Sequence, residues 1–175
     1  EIAAILRALS LVAASFLTEL QANLAILARL DFIFAKGQYS YELDGIAPRI
    51  DINGKFRLLA ARHPLIPAQQ VVPIEVRLER NTSAMVITGP NTGGKTVTLK
   101  TIGLLTCMAL SGLHIPAESG SEIGCYDAVW ADIGDEQSIE QSLSTFSSHM
   151  SNIVIILGQA GPRSLVLLDE LGAGT

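Results

Sequence analysis

Eight residues in the middle of the chain have the types and the spacing that bind phosphate. Residues 89–96 fit the pattern G-x-x-x-x-G-K-[ST] in full. Glycines allow backbone conformations that point successive N–H groups at phosphate oxygens, and the start of the following helix adds its positive dipole end. Lys95 is predicted to reach the β- and γ-phosphates, and Thr96 to offer its hydroxyl to Mg²⁺. The candidate nucleotide-binding residues are Gly89, Pro90, Asn91, Thr92, Gly93, Gly94, Lys95 and Thr96.

A second candidate site follows an apolar run near the end of the chain. Residues 164–168 read Ser-Leu-Val-Leu-Leu and are followed by Asp169 and Glu170. In open α/β sheets, ligands bind at the carboxyl edge of the strands. We expect Asp169 to hold Mg²⁺, usually through water, and Glu170 to polarise the attacking water. The run alone is a weak signal, and the P-loop upstream makes it a strong one.

Two other nucleotide enzymes share part of this pattern. Asp169-Glu170-Leu171-Gly172 also fits the D-x-x-G motif of GTPases, but a strand and a helix separate it from Lys95, and the chain has no Asn-Lys-x-Asp guanine reader. A small-molecule kinase also uses a P-loop, and the adjacent carboxylates disfavour that reading. ATP with Mg²⁺ is therefore the predicted cofactor pair.

Composition limits the other classes. The 175 residues are 49% apolar with a net charge of −5, which argues for a packed core and against a surface that binds nucleic acid by charge alone. The two cysteines lack a metal or redox spacing, and no signal peptide or membrane span is visible. We expect a soluble, cytoplasmic protein with no membrane partner. Since the chain stops directly after the acidic run, we interpret it as a fragment.

The elements around these motifs alternate between helices and strands. Apolar residues every three or four positions predict one long helix over residues 2–38, and Asn53-Gly54 predicts a hairpin between strands at 49–51 and 55–59. The order implies an α/β fold with a parallel sheet and helices on its faces. The remaining predicted elements are strands at 74–78, 84–88, 127–133 and 165–168, and helices at 95–111 and 147–157.

A serine-rich segment at residues 132–152 precedes the last predicted helix. Ser144 or Ser147 is expected to be the N-cap of that helix. A helix N-terminus is also an anion site, so a functional role and a capping role are equally open from the residues alone.

Several motifs occur together in an order that resembles the MutS family of ABC-like ATPases. The resemblance spans roughly residues 55–175. The motifs that carry it are Ile87–Thr96, Ile115–Glu118, Ile133-Gly134, Ser144-Thr145-Phe146, Leu165–Gly174 and, upstream, Arg62-His63-Pro64. Residues 134–143 resemble the bacterial type 2 branch more than the mismatch-repair branch, which remains the alternative.

The resemblance implies a division of the chain and a set of partners. Residues 1–44 would be the C-terminal part of a helical core or lever domain, and residues 45–175 an ABC-like P-loop ATPase domain that stops after the acidic strand end. In the family, ATP closes a homodimer, and the serine matching Ser144 reaches the partner's γ-phosphate. Type 2 proteins resemble DNA clamps for branched or mismatched DNA in recombination or repair, and act in ribosome rescue. They generally carry a C-terminal Smr nuclease domain. A non-hydrolysing ATP-dependent dimerisation switch is the rival reading.

Overall fold

The computed structural model describes residues 1–79, 82–90, 93–134 and 142–169, with the backbone alone along 142–148. The chain forms two compact units, Glu1–Tyr39 and Ser40–Thr175.

The first unit contains a helical segment that is broken near its middle. The predicted single helix is wrong here: α1 spans Ile2–Ser15 and α2 spans Leu17–Glu42, with a bend of 67° between them. The Ser15 hydroxyl donates to Val12 O (2.7 Å), and the Phe16 amide donates to Ala13 O (3.1 Å) instead of Val12 O. A serine hydroxyl that competes for a helical carbonyl in this way bends helices.

Helix α2 continues through Gly37, where the sequence predicted its end. A single glycine costs a helix only about 1 kcal/mol relative to alanine, so the pattern can run past it. The helix ends instead at Glu42, and Asp44 just beyond it has a left-handed φ of 48°. The amide of Asp44 donates to Tyr41 O and that of Gly45 to Ser40 O, the two bonds of a Schellman C-terminus.

No residue of α1 or α2 is buried. Within the described residues, no single helix is long and apolar enough to cross a membrane, and α1 and α2 pass that test by length and composition only as a bent pair.

The second unit contains a four-stranded mixed sheet. Its strands are β1 (Arg49–Asp51), β2 (Phe56–Ala61), β3 (Ile74–Leu78) and β4 (Glu122–Gly124), in the order β1-β4-β2-β3. Strand β1 is parallel to β4, and β2 is antiparallel to both β3 and β4. The predicted parallel sheet is therefore not what these four strands form, since only β1 and β4 pair in parallel.

The hairpin predicted around Asn53-Gly54 is also wrong, because β4 lies between β1 and β2. Gly54 has the expected positive φ of 80°, but Asn53 does not, so the turn is not type I′. The carboxylate of Asp51 accepts the amides of Asn53 (2.8 Å) and Lys55 (3.3 Å). The turn is therefore shaped by an aspartate side chain and leads away from β1.

The second unit also contains a two-stranded parallel sheet. Strand β5 (Ala128–Asp132) leads through α4 (Ser142–Gln159) to β6 (Ser164–Leu168), a β-α-β crossover that confirms both strand predictions. Because α4 begins at Ser142, the predicted N-caps Ser144 and Ser147 lie inside the helix. Helix α3 (Lys95–Leu110) follows the P-loop as predicted.

The strand predicted at residues 84–88 does not form. No described strand pairs with it, and Val86 is 83% exposed. A strand is defined by its ladder of hydrogen bonds to a neighbouring strand. Strands β5 and β6 form such a ladder with each other and not with residues 84–88.

The buried core lies between the first sheet, helix α3 and strand β6. It includes Phe56, Leu58, Val76, Ile102, Leu105, Met108, Ile123 and Leu167.

Candidate functional site

The described part of the P-loop forms a tight turn ahead of α3. The amide of Gly93 donates to Pro90 O (2.9 Å), and Gly94 has a left-handed φ of 73° at the N-cap of the helix. A Cβ atom clashes with the backbone in that conformation, so glycine, which has none, is the residue that fits here. The loop therefore turns sharply enough to present backbone N–H groups at the start of α3.

The first intrahelical bond of α3 runs from the Thr98 amide to Gly94 O (2.8 Å). The amides before it point along the helix axis toward the loop, as at any helix N-terminus. The Lys95 ammonium donates to Gly89 O (2.8 Å), so its charge is held over the same loop. An anion at this place would meet both the helix dipole and a lysine.

The two sequence-predicted metal ligands are in contact. The Thr96 hydroxyl donates to Asp169 Oδ2 at 2.5 Å, although the residues are 73 positions apart in the chain. Thr96 lies in the first turn of α3, Asp169 directly follows β6, and both are half-buried. The structure thus brings the P-loop and the acidic strand end together.

A close helix–strand approach supports this contact. At Gly103 of α3, an added Cβ would fall 2.7 Å from Leu167 Cδ1 on β6. Leu167 is buried at 5% exposure. Because Gly103 has no side chain, α3 can lie near enough to β6 for Thr96 to reach Asp169.

The pair fits a magnesium ion that also binds phosphate. Hydroxyl and carboxylate oxygens are the hard donors that Mg²⁺ prefers, and sites shared with phosphate use only one or two protein ligands. Among the described residues, no group of three or more His, Cys, Asp or Glu side chains could hold a metal by itself. Thr96 and Asp169 would therefore hold the ion together with the nucleotide.

A buried aspartate beside this site was not singled out from the sequence. Asp132, the last residue of β5, is 5% exposed, and its carbonyl accepts the amide of Asp169 (3.0 Å). Its carboxylate contacts two residues of α4, His149 Nδ1 at 2.9 Å and Asn152 Nδ2 at 3.3 Å. The sequence signal that could have identified Asp132 is the one that identified Asp169, an apolar strand that ends in a carboxylate.

The imidazole of His149 is enclosed on a second side by Gly134. An added Cβ at Gly134 would lie 2.6 Å from His149 Cε1 and 2.7 Å from Nε2. The ring is thus held between the Asp132 carboxylate and the backbone that follows β5.

The Arg62-His63 motif lies elsewhere in the second unit. Arg62 Nη2 donates to Leu43 O (3.0 Å), and both residues line a cavity of about 410 Å³ that no P-loop residue within the described part of the chain lines. The pKa of His63 is lowered from its ordinary value of 6.5, first by burial and second by the positive charge of Lys100. Among the described residues, the motif therefore lies near Lys100 of α3 and apart from the predicted phosphate site.

Several predicted site residues cannot be placed. Asn91, Thr92 and Glu170 lie outside the described residues. Ser144 lies on α4, where only the backbone is described. Their assigned roles stay predictions.

Comparison with known families identifies the part of the chain that holds the site. Residues 85–175, more than half of the chain, match the family model described as MutS domain V. This range contains the P-loop, α3, β5, α4 and the acidic strand end.

Individual relatives match the chain over its whole length. It is 59% identical to Endonuclease MutS2 of Geobacillus sp. (strain WCH70), 58% identical to that of Bacillus velezensis and 57% identical to that of Halalkalibacterium halodurans. Each match covers 100% of this chain and 22% of the relative. The chain thus spans about a fifth of the length of these relatives.

Proposed function

The chain belongs to the MutS family, whose domain V model matches residues 85–175, and from this premise we propose that it binds Mg-ATP and hydrolyses it. The observation that carries the proposal is the 2.5 Å contact between Thr96 and Asp169. It joins the end of a phosphate-binding loop to a carboxylate at a strand end. A purely structural loop would not require those two chemistries to meet.

Each residue then has a role in phosphoryl transfer to water. The loop amides and Lys95 would hold the triphosphate, and Thr96 with Asp169 would hold the metal ion beside it. Bound Mg²⁺ would neutralise charge on the β- and γ-phosphates. Glu170 orients the attacking water in line with the leaving group. Positioning and charge neutralisation supply most of the rate in this class of reaction.

The relatives support a proposal for the role of the whole protein. The identity over the full chain supports the MutS2 branch over the mismatch-repair branch. We propose that ATP closes a homodimer in which Ser144 reaches the partner's γ-phosphate, and that the full-length protein binds branched or mismatched DNA. A collided ribosome is the competing target. Any nuclease activity would come from outside this chain.

The site assignment is tested in the full-length protein with Lys95→Ala. Loss of the ammonium should lower kcat for ATP hydrolysis about 100-fold, because the charge it stabilises is left without a donor. Lys100→Ala, on the same helix, is the matched control and should keep the activity. Equal rates for wild type and Lys95→Ala would refute the assignment.

Glu170→Gln separates hydrolysis from a non-hydrolysing switch. If the protein hydrolyses ATP through Glu170, the variant should keep its ATP affinity and accumulate an ATP-bound dimer. Size-exclusion chromatography with ATP reads the dimer, and phosphate release reads the turnover. Wild type that dimerises with ATP but releases no phosphate would establish the switch instead.

A further inference from the structure

Asp132 is the point at which three elements meet. Its backbone carbonyl accepts a hydrogen bond from the Asp169 amide. Its carboxylate is hydrogen-bonded to His149 and Asn152, which are three residues apart on α4. Residues three apart lie on one face of a helix, so both bonds hold the same face of α4. The backbone bond holds the start of the acidic segment after β6.

The burial of Asp132 makes this arrangement restrictive. Its side chain is 4% exposed, whereas that of His149 is 38% exposed. A buried carboxylate is costly unless hydrogen bonds satisfy it, so α4 cannot shift away without leaving Asp132 unsatisfied. Gly134 closes the other side of the His149 ring and fixes its orientation.

We infer that Asp132, with His149 and Asn152, is a positioning cluster that fixes α4 and Asp169 in the register needed for ATP hydrolysis. The inference rests on the proposed function. The path is continuous: Thr96 contacts the Asp169 carboxylate, the Asp169 amide bonds to Asp132, and Asp132 holds α4. In this proposal the cluster acts through Asp169 and through the helix that carries Ser144.

The test compares variants of His149 in the full-length protein. His149→Ala removes the donor and should lower kcat about 10-fold while KM for ATP stays within about two-fold, as for residues that orient a site without binding its ligand. His149→Asn places an amide N–H near the position of Nδ1 and should recover most of kcat. Gly134→Ala should reproduce His149→Ala, because its Cβ would displace the ring.

The matched control lies at the opposite end of the same two strands. Arg163 donates to the exposed carboxylate of Asp127 at 2.6 and 2.8 Å. Asp127→Asn removes this pair and should leave both kcat and KM unchanged. Hydrogen exchange without nucleotide gives a second measurement: exchange of the α4 amides and of the Asp169 amide should be faster in His149→Ala than in Asp127→Asn.

Three outcomes would overturn the inference. One is an unchanged kcat in His149→Ala, another is an Asn variant no better than the Ala variant, and the third is unchanged hydrogen exchange. Lys95→Ala distinguishes the two proposals. If it abolishes hydrolysis while His149→Ala has no effect, the positioning role alone fails. If Lys95→Ala has no effect, the proposed ATPase site fails first.

Discussion

The hydroxyl of Thr96 and the carboxylate of Asp169 lie 2.5 Å apart, although 73 positions separate them along the chain. One belongs to the first turn of a helix and the other to the end of a strand. Two supports maintain the contact: the close approach of α3 to β6 at Gly103, and the bond from the Asp169 amide to Asp132. The predictions below concern this contact and the packing and charges around it.

Thr96→Val should weaken Mg²⁺-dependent ATP binding about 10-fold or more, because valine keeps the shape and removes the oxygen ligand. Thr96→Ser should keep most of the binding. Titration of the full-length protein with a fluorescent ATP analogue, with and without Mg²⁺, measures the difference. Thr98→Val is the control, since the Thr98 hydroxyl donates to Gly94 O of its own helix. Equal Mg²⁺ dependence in Thr96→Val and wild type would contradict the metal role.

Gly103→Ala should destabilise the protein even though alanine is the better helix former. The new Cβ would lie 2.7 Å from Leu167 Cδ1, and overpacking a core costs about 1–3 kcal/mol, against about 1 kcal/mol gained in helix propensity. Gly158→Ala on α4 meets nothing within 4 Å and should stabilise by about 0.4–1 kcal/mol. Urea unfolding of the two variants measures both changes. A gain in stability for Gly103→Ala as well would show that β6 yields freely to α3.

Lys100→Gln should raise the pKa of His63 but leave it below 6.5. Burial is the larger cause of the lowered value and remains in the variant, while the repulsion from the Lys100 charge is removed. An NMR titration of the histidine ring protons measures the pKa. Lys55→Gln serves as the control and should not change it. A His63 pKa that returns fully to 6.5 would mean that charge, not burial, dominates.

Acid should remove a stabilising ion pair in the first sheet. The pKa of Glu122 is lowered from 4.5, chiefly by the hydrogen bond from Lys55 Nζ at 2.6 Å, with the charge of Arg49 as a smaller contribution, while burial opposes the shift. Because the folded pKa lies below the unfolded one, the stabilisation is complete above about pH 4.5 and is lost as the pH falls through the folded value.

Glu122→Gln should therefore flatten the loss of thermal stability as the pH falls below about 4.5. Glu75→Gln is the control, because Glu75 forms only an exposed pair with Arg77 at 3.8 Å. Thermal unfolding across this pH range, followed by circular dichroism, compares the two variants with wild type. Parallel curves for wild type and Glu122→Gln would show that the Lys55 pair adds nothing to folding.

Local sequence signals predicted most of the elements around the site. Helix α3 and strands β3, β5 and β6 form where apolar periodicity and the P-loop pattern placed them. The break at Phe16 was missed because it depends on one hydroxyl, that of Ser15, competing for a carbonyl inside an otherwise regular apolar pattern.

The remaining misses come from partners distant in sequence. The Asn53-Gly54 pair predicts a hairpin when only the local sequence is considered. Strand β4, which lies some seventy residues later in the chain, instead inserts between β1 and β2. Residues 84–88 have a strand composition, but a strand also needs a neighbour to supply its ladder. Composition describes only one side of such a pairing.

The sequence by itself determined the glycine-rich motif at residues 89–96, the acidic run after the last strand and the membership of the chain in the MutS family. Those features depend on residue types at fixed short spacings, which can be recognised without knowing how the chain folds. Only the tertiary structure decided that Thr96 meets Asp169 and that Asp132 holds His149. Such contacts depend on how a helix and two strands pack, and packing is set by the approach at Gly103 and the burial of Asp132, not by distance along the chain.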